Sequence, residues 1–198
     1  MTLKRHAPAA DRNRTAIADV LQRVLPGEGR MLEVASGSGQ HVVTFAAQLP
    51  AWSFVPSDPD ATARASVDAW VAESGLSNLE RARDLDTRVG PWPDGPFDAV
   101  VAINMVHISP WAATTALLQG ASRVLRPGGL LVLYGPYVID GQTADSNRAF
   151  DASLRGRDPR WGVRELRTVL KAAGEHDLHE AERVAMPANN HCVILRLQ

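Results

Sequence analysis

The chain has 198 residues, 45% of them apolar and 22% charged, which suits one globular domain with a central sheet covered on both faces. Its 21 basic and 22 acidic residues nearly cancel, so the overall charge gives no reason to expect a polyanionic partner and disfavours nucleic acid as substrate. Cys192 is a single cysteine and cannot form an internal disulfide, Met1 to Ala10 holds no apolar core of signal-peptide length, and no apolar run would cross a bilayer; a cytoplasmic protein without a membrane partner is expected.

Residues 1 to 14 are polar and contain Pro8. They precede a helical pattern, Ile17, Val20, Leu21, Val24 and Leu25, stopped by Pro26-Gly27, with Asp11 as its expected N-cap. Met31 to Val34 then forms an apolar strand that runs through Ala35-Ser36-Gly37-Ser38-Gly39-Gln40-His41 into the helical pattern Val42 to Leu49. Two glycines one residue apart permit a tight bend and a close backbone approach, and the helix start offers unpaired N–H groups. A dinucleotide fingerprint would place a third glycine where Val42 stands, and no Lys followed by Ser or Thr closes a phosphate loop. An adenosyl ligand without phosphates is left. Asp58 closes the next apolar run, Trp52 to Ser57, at about the separation at which doubly wound folds place a carboxylate on a ribose diol.

Asp60 to Ser74 is an alanine-rich helix pattern stopped at Gly75, and Leu79 to Leu85 makes a short third strand ending in Asp84-Leu85-Asp86. The turn-rich segment Pro91-Trp92-Pro93-Asp94-Gly95-Pro96-Phe97-Asp98 leads into a fourth strand, Ala99 to Ile103. Asn104 to Trp111 follows at the carboxyl edge, where open α/β sheets bind ligands. A helix over Ala112 to Leu125, a turn at Arg126-Pro127-Gly128-Gly129 and a doubly buried strand, Leu130 to Tyr134, come next. Residues 140 to 162 are polar and weakly periodic, as a functional lid would be. Val163 to Ala173 resumes a helix ended by Gly174, and strands over His176 to Val184 and Cys192 to Leu197 close the chain. The alternation indicates a doubly wound, Rossmann-like α/β sheet with helices on both faces.

The Glu33-Val34-Ala35-Ser36-Gly37-Ser38-Gly39 turn, the acid five residues before a Pro-aromatic-Pro-Asp-Gly turn, Phe97-Asp98, and Leu125-Arg126-Pro127-Gly128-Gly129-Leu130-Leu131 together resemble the class I S-adenosylmethionine-dependent methyltransferases. Further stretches, among them Arg12-Asn13, Asn104 to Trp111, Asn147 to Phe150 and Met186 to Asn190, resemble a smaller group of stand-alone methyltransferase-like proteins carried under a domain-of-unknown-function label. The resemblance covers nearly the whole chain; it departs at Ala35, where the superfamily usually has glycine. It implies a mostly parallel, seven-stranded sheet with an antiparallel last strand, one domain over 1–198, and S-adenosyl-L-methionine as cofactor. The residues it assigns to that cofactor are Glu33, Ala35, Ser36, Gly37, Gly39, Asp58, Leu85, Asp86 and Asn104. Asp86 would face the adenine, or Asp84 if the register slips.

Methyl transfer needs donor and acceptor held in attack geometry, and a base where the acceptor carries a proton. His107, just past the fourth strand, is the first choice of base, set against a packing role beside Trp111; His41 is the second, set against packing on the cofactor side. Arg12, Asn13, His41, Tyr137, Asn147, Arg155, Asn189 and Asn190 are expected to form a polar, partly cationic acceptor pocket for a small molecule with a carboxylate or phosphate. Arg155 has the alternative of pairing with Asp151 or Asp158 on a surface helix. Residues 1–14 and 140–162 are expected to cover that side. His176, His179 and His191 lack metal-ligand spacing, so no metal is expected. A small-molecule methyltransferase is the leading expectation; the alternative is a cofactor-binding sensor or partner subunit without transferase activity, and a nicotinamide-dependent reductase is disfavoured by Val42.

Overall fold

The structure, a computed structural model, describes residues 3–198. Helix α1, Pro8–Val24, opens with Pro8 in its first turn, where the missing N–H costs nothing. Ala7 occupies the cap and Asp11 lies in the first turn, favourably placed against the helix dipole but not as the expected N-cap. Then follow β1 (Gly29–Val34), α2 (Gln40–Gln48), β2 (Trp52–Ser57) and α3 (Ala61–Ser74). Helix α3 starts on Asp60, whose side chain accepts from Thr62 N at 2.8 Å, and stops at Gly75 with φ +66°. The rest is β3 (Phe97–Ile103), α4 (Trp111–Val124), β4 (Leu125–Val138), α5 (Asp145–Arg157), β5 (Arg164–Glu165), α6 (Leu166–Gly174), β6 (Leu178–Met186), a 3-10 turn over Pro187–Asn189, and β7 (Asn190–Leu197).

The seven-stranded sheet runs β2-β1-β3-β4-β7-β6, with β5 paired to the end of β4. Strands β2, β1, β3 and β4 are mutually parallel, and β7 is antiparallel to both its neighbours. The chain winds from β1 outward to β2 and then back to β3, so the topological switch lies between β1 and β3. Alternate residues of the buried strands feed two cores. Met31, Ala99, Val101 and Val132 face Ile17, Leu21, Phe45 and Val67, whereas Leu32, Val100, Leu131 and Leu133 face Leu117, Leu118 and Val169. Among the described residues no helix is long and apolar enough to cross a membrane.

Four expected elements differ: the turn expected at Arg126 to Gly129 lies within β4, the helix expected from Val163 begins at Leu166 behind β5, and two more depart further. The third strand over Leu79 to Leu85 forms only isolated bridges to β2, Phe54 with Leu79 and Ser57 with Arg83. Pro56 has no N–H to donate midway along that edge, although its carbonyl accepts from Arg83 N at 2.8 Å, so the ladder is broken there. Residues 140–162 are not irregular: they contain α5, which buries only Asn147 and Leu154 and therefore leaves little apolar periodicity in the sequence.

The start of α2 is pressed against α3. Gly39 has φ +94°, and a Cβ there would lie 2.8 Å from the Val67 Cα. Gly37, also left-handed at φ +58°, has no atom nearer to such a Cβ than the Ala35 carbonyl at 4.0 Å. The first glycine of the turn is thus open and the second is a packing requirement. Gly39→Ala is expected to lower stability by about 2–4 kcal/mol, a left-handed penalty plus an overpacking one, read from the urea midpoint at unchanged slope.

Candidate functional site

At the carboxyl edge over the switch point, the chain leaves β1 through Ala35, which takes the left-handed φ of 58° that makes glycine usual there. Its methyl group is tolerated at a cost of about 1 kcal/mol. The turn is latched to β2: Ser36 N donates to the Ser57 carbonyl at 2.9 Å, and Ser57 Oγ donates to the Glu33 carbonyl at 2.8 Å. Asp58 completes the latch, with Oδ2 accepting from Gly37 N and Oδ1 from Asp60 N, each at 2.9 Å. Burial pushes its carboxyl above the usual range.

Two cavities flank this turn and share Ala35, Met105 and Ile108 as a partition. The smaller, about 250 Å³, is lined by Asp58, Pro59, Leu85, Asp86, Thr87 and Arg88 among others. Asp86 is held below the usual carboxylate range by Arg88, whose Nη2 lies 2.6 Å away. Asp84 faces elsewhere, paired with Arg64 at 3.1 Å and lining a surface with Trp92 and Pro93. Of the two acids left open by the sequence, only Asp86 lines the cavity that holds Asp58.

The larger cavity, about 340 Å³, takes Glu33, Ser36, Gly37, Ser38 and His41 from one side, Ile103 and Asn104 from β3, and Ala7, Ala9, Ala10 and Asn13 from the first turns of α1. Glu33 is 2% exposed and its Oε2 has no hydrogen-bond partner. Burial lifts its carboxyl to about 8, against a partial lowering by Ser36. His41 Nε2 lies 2.8 Å from Asn13 Oδ1, and burial, with Arg14 nearby, pushes the imidazole down to about 4.

The other expected acceptor residues are elsewhere. His107 is fully buried and lines neither cavity; its ring meets Tyr137 edge-on at 4.8 Å rather than packing on Trp111, and its Nδ1 accepts from Arg164 N at 3.3 Å. Burial pushes it down to about 3, so it is neutral and shielded, a placement that does not support a base in contact with substrate. Tyr137 lies in the same core. Arg155 pairs with Asp151 at 2.7 Å, Asn147 donates to Thr143 Oγ1 and the Asn189 carbonyl, Asn189 donates to Ser146 Oγ, and Asn190 donates to the carbonyls of Pro187 and Ala188. Arg12 is exposed on α1. No Lys or Arg lines the larger cavity, so the expected cationic pocket is not formed.

Three features had no place in the sequence reading. Met105 and Ile108 partition the site, and alanines of α1 roof it. Gln40, fully buried, joins roof to floor: its Oε1 accepts from Ala7 N at 2.6 Å and Ser38 Oγ at 2.9 Å, while its Nε2 donates to Asp11 Oδ1 at 2.6 Å. A long polar residue directly after Gly-x-Gly, where a buried helix begins, is the signal that pointed to it. Among the described residues no group of three or more His, Cys, Asp or Glu side chains is gathered as metal ligands would be.

A family described as "Protein of unknown function (DUF938)" matches residues 4–197. The chain is 28% identical over 116 residues to a tRNA (guanine-N(7)-)-methyltransferase of Rhizobium johnstonii, covering 54% of this chain and 48% of that protein. It spans about half the length of the curated relatives it matches. Among solved structures, the S-adenosylmethionine-dependent methyltransferase SibL in its apo form superposes with a TM-score of 0.78 at 20% identity, over 94% of this chain and 55% of that one. CalO1, a methyltransferase in calicheamicin biosynthesis in its SAH-bound form, does so with 0.74 at 18% identity, over 91% of this chain and 54% of that one. At such identities the likeness is one of fold. With a family match reaching from residue 4 to residue 197, the chain belongs to the DUF938 family, and its fold is that of the S-adenosylmethionine-dependent methyltransferases.

Proposed function

We propose that the protein is an S-adenosylmethionine-dependent methyltransferase acting on a small molecule. The observation that carries this reading is the pair of cavities meeting at Ala35, Met105 and Ile108, with Asp58 in one and in the other the buried Glu33 carboxyl, whose Oε2 has no partner. A buried carboxylate without a cation is costly, and an ammonium group is the ligand feature that relieves it. The residues fit the cofactor part by part. Asp58 would take the ribose hydroxyls, Leu85 and Asp86 the adenine, Glu33 the α-ammonium, and the N–H groups at the start of α2 the α-carboxylate. The bound cofactor supplies an electrophilic methyl group on a sulfonium.

What the chain itself contributes is orientation and exclusion of water. Met105 and Ile108, with Ala35, form an apolar partition at the place where the two cavities meet, and α1 closes the acceptor side with Ala7, Ala9 and Ala10. Alignment inside such a site supplies much of the acceleration of a displacement. The half of the expected cover that lies near the cavity is the amino-terminal one; no residue of α5 lines it. Formation of S-adenosylhomocysteine from labelled donor in the presence of a metabolite extract tests the activity, and binding without any turnover would leave only a cofactor-binding protein.

Asp58→Ala is expected to weaken S-adenosylmethionine by about 1–3 kcal/mol in calorimetry, the range for losing a charged hydrogen bond. Unchanged affinity would remove Asp58 from the ribose.

Glu33 should make binding pH-dependent. Its folded pKa of about 8 lies above the ordinary 4.5, so its contribution to the stability of the unliganded protein is full below pH 4.5 and is lost as pH rises through about 8. Pairing with an ammonium favours the ionised form, so binding at pH 7 is expected to release about one proton. Calorimetry in buffers of different ionisation enthalpy measures this, and Glu33→Gln should abolish it.

Bound S-adenosylhomocysteine is expected to slow amide exchange across Ala7 to Asn13 and leave Asp145 to Arg157 unchanged. Equal protection of both segments would return residues 140–162 to the cover.

A further inference from the structure

We infer that the larger cavity selects a small, uncharged, largely apolar acceptor bearing a hydroxyl or N–H group, and that His41 Nδ1 receives that group's hydrogen bond and proton, with Asn13 positioning the ring. The inference rests on the methyltransferase reading and names its acceptor class.

Charge is the first argument. The walls are Ala7, Ala9, Ala10, Ile103, Met105 and Ile108, no Lys or Arg joins them, and Glu33 is buried among them. An acceptor carboxylate or phosphate would lose its hydration without gaining a cation from the protein and would face the cofactor's own carboxylate. Two helix starts in the lining favour an anion: that of α2 would be taken by the cofactor's own carboxylate, and the first turn of α1 carries its own acid, Asp11. Arg14, close enough to lower the His41 pKa, lies 3.6 Å from Asp11 and is outside the lining. Size is the second argument: about 340 Å³ is near the lower end for small-molecule sites, and the methionine end must share it.

The third argument is the hydrogen-bond network. Asn13 Oδ1 lies 2.8 Å from His41 Nε2, and an amide oxygen only accepts, so His41 carries its proton on Nε2 and a lone pair on Nδ1. Among the described residues Nδ1 has no partner, and the ring is steadied against Phe45 with centroids 6.0 Å apart. In the step, an acceptor lone pair forms the bond to the methyl carbon as the carbon–sulfur bond breaks, its electron pair leaving with sulfur as a neutral thioether. The acceptor's proton passes to Nδ1 and is returned to water on product release. Positive charge moves from sulfonium to imidazolium, so the total charge beside Glu33 is conserved.

The test uses the full chain loaded with S-adenosylhomocysteine and saturation-transfer NMR with phenol and indole against benzoate and phenyl phosphate, alongside labelled methyl transfer to total tRNA. Phenol and indole are expected to bind saturably, the anions at least about tenfold more weakly, and tRNA to remain unlabelled. His41→Leu should weaken phenol about tenfold with S-adenosylhomocysteine affinity preserved, and His41→Gln, which keeps a hydrogen-bonding end, should retain phenol. In ¹⁵N-histidine spectra His41 is expected as the Nε2–H tautomer, a signature lost in Asn13→Ala. Failure of the wild type to bind S-adenosylhomocysteine would end the methyltransferase reading itself. With that ligand bound, equal or preferred binding of benzoate, binding of no probe, labelling of tRNA, or undiminished phenol affinity in His41→Leu would each overturn the inference alone.

Discussion

The approach of the Gly39 backbone to the Val67 Cα determines where everything at the site lies. Because no side chain fits between them, α2 begins directly on α3, and the residue beside Val67 becomes a seat for the turn: Ser66 Oγ donates to the Ser38 carbonyl at 2.8 Å. The same hydroxyl accepts from Arg5 N at 2.8 Å, so the segment leading into α1 is tied to α3 as well. Gln40 then pins the first turn of α1 over the glycines. A tight helix contact in the core thus fixes both the floor and the roof of the larger cavity, which rigid elements position better than free loops do.

Charge divides the surface from the site. Arg64 with Asp84, Arg88 with Asp86, Arg155 with Asp151 and Arg160 with Asp158 are partly or largely exposed pairs, each worth little to stability. Glu33 is the opposite case: enclosed, its Oε2 without a partner, and raised in pKa by burial first and by Asp58 last. Nothing in the fold needs a carboxylate at that position of β1, where an apolar residue would pack without desolvation cost. A cost concentrated at a strand end that opens on a cavity is the pattern expected of a binding group.

Much of the sheet was legible because buried parallel strands and a Gly-x-Gly turn are one-dimensional signals, and Asp58 was legible because a strand end at the carboxyl edge fixes a side chain's neighbourhood. His107 was not. Asn104 takes a left-handed φ of 57°, and the chain turns back so that His107 comes within 2.5 Å of where a Gly135 Cβ would stand. Proximity to a strand end in sequence therefore says little about which side of the edge a loop residue reaches. The acceptor residues failed for a related reason: Asn147, Asn189 and Asn190 are polar because they satisfy each other and nearby carbonyls between α5 and the 3-10 turn, and polarity alone does not separate that role from ligand binding.

The segment expected to be a lid acts on the site from behind. Arg164 donates to the carbonyls of Val106 at 3.0 Å and Ser109 at 2.7 Å, and Gly162 N donates to the His107 carbonyl at 2.9 Å. Three carbonyls of the loop that carries Met105 and Ile108 are therefore fixed, one by Gly162 at the end of that segment and two by Arg164, which opens β5. The guanidinium is spent on backbone oxygens and lies over the Trp111 ring with 5.9 Å between its carbon and the ring centre. Because the loop supplies the partition between the two cavities, a shift of its backbone would move that wall, and in a site that has to align a donor with an acceptor, displacements of about 1 Å suffice to cost a hundredfold in rate. Residues 158–164 thus bear on the chemistry through the stiffness of a wall and without lining the cavity that wall encloses.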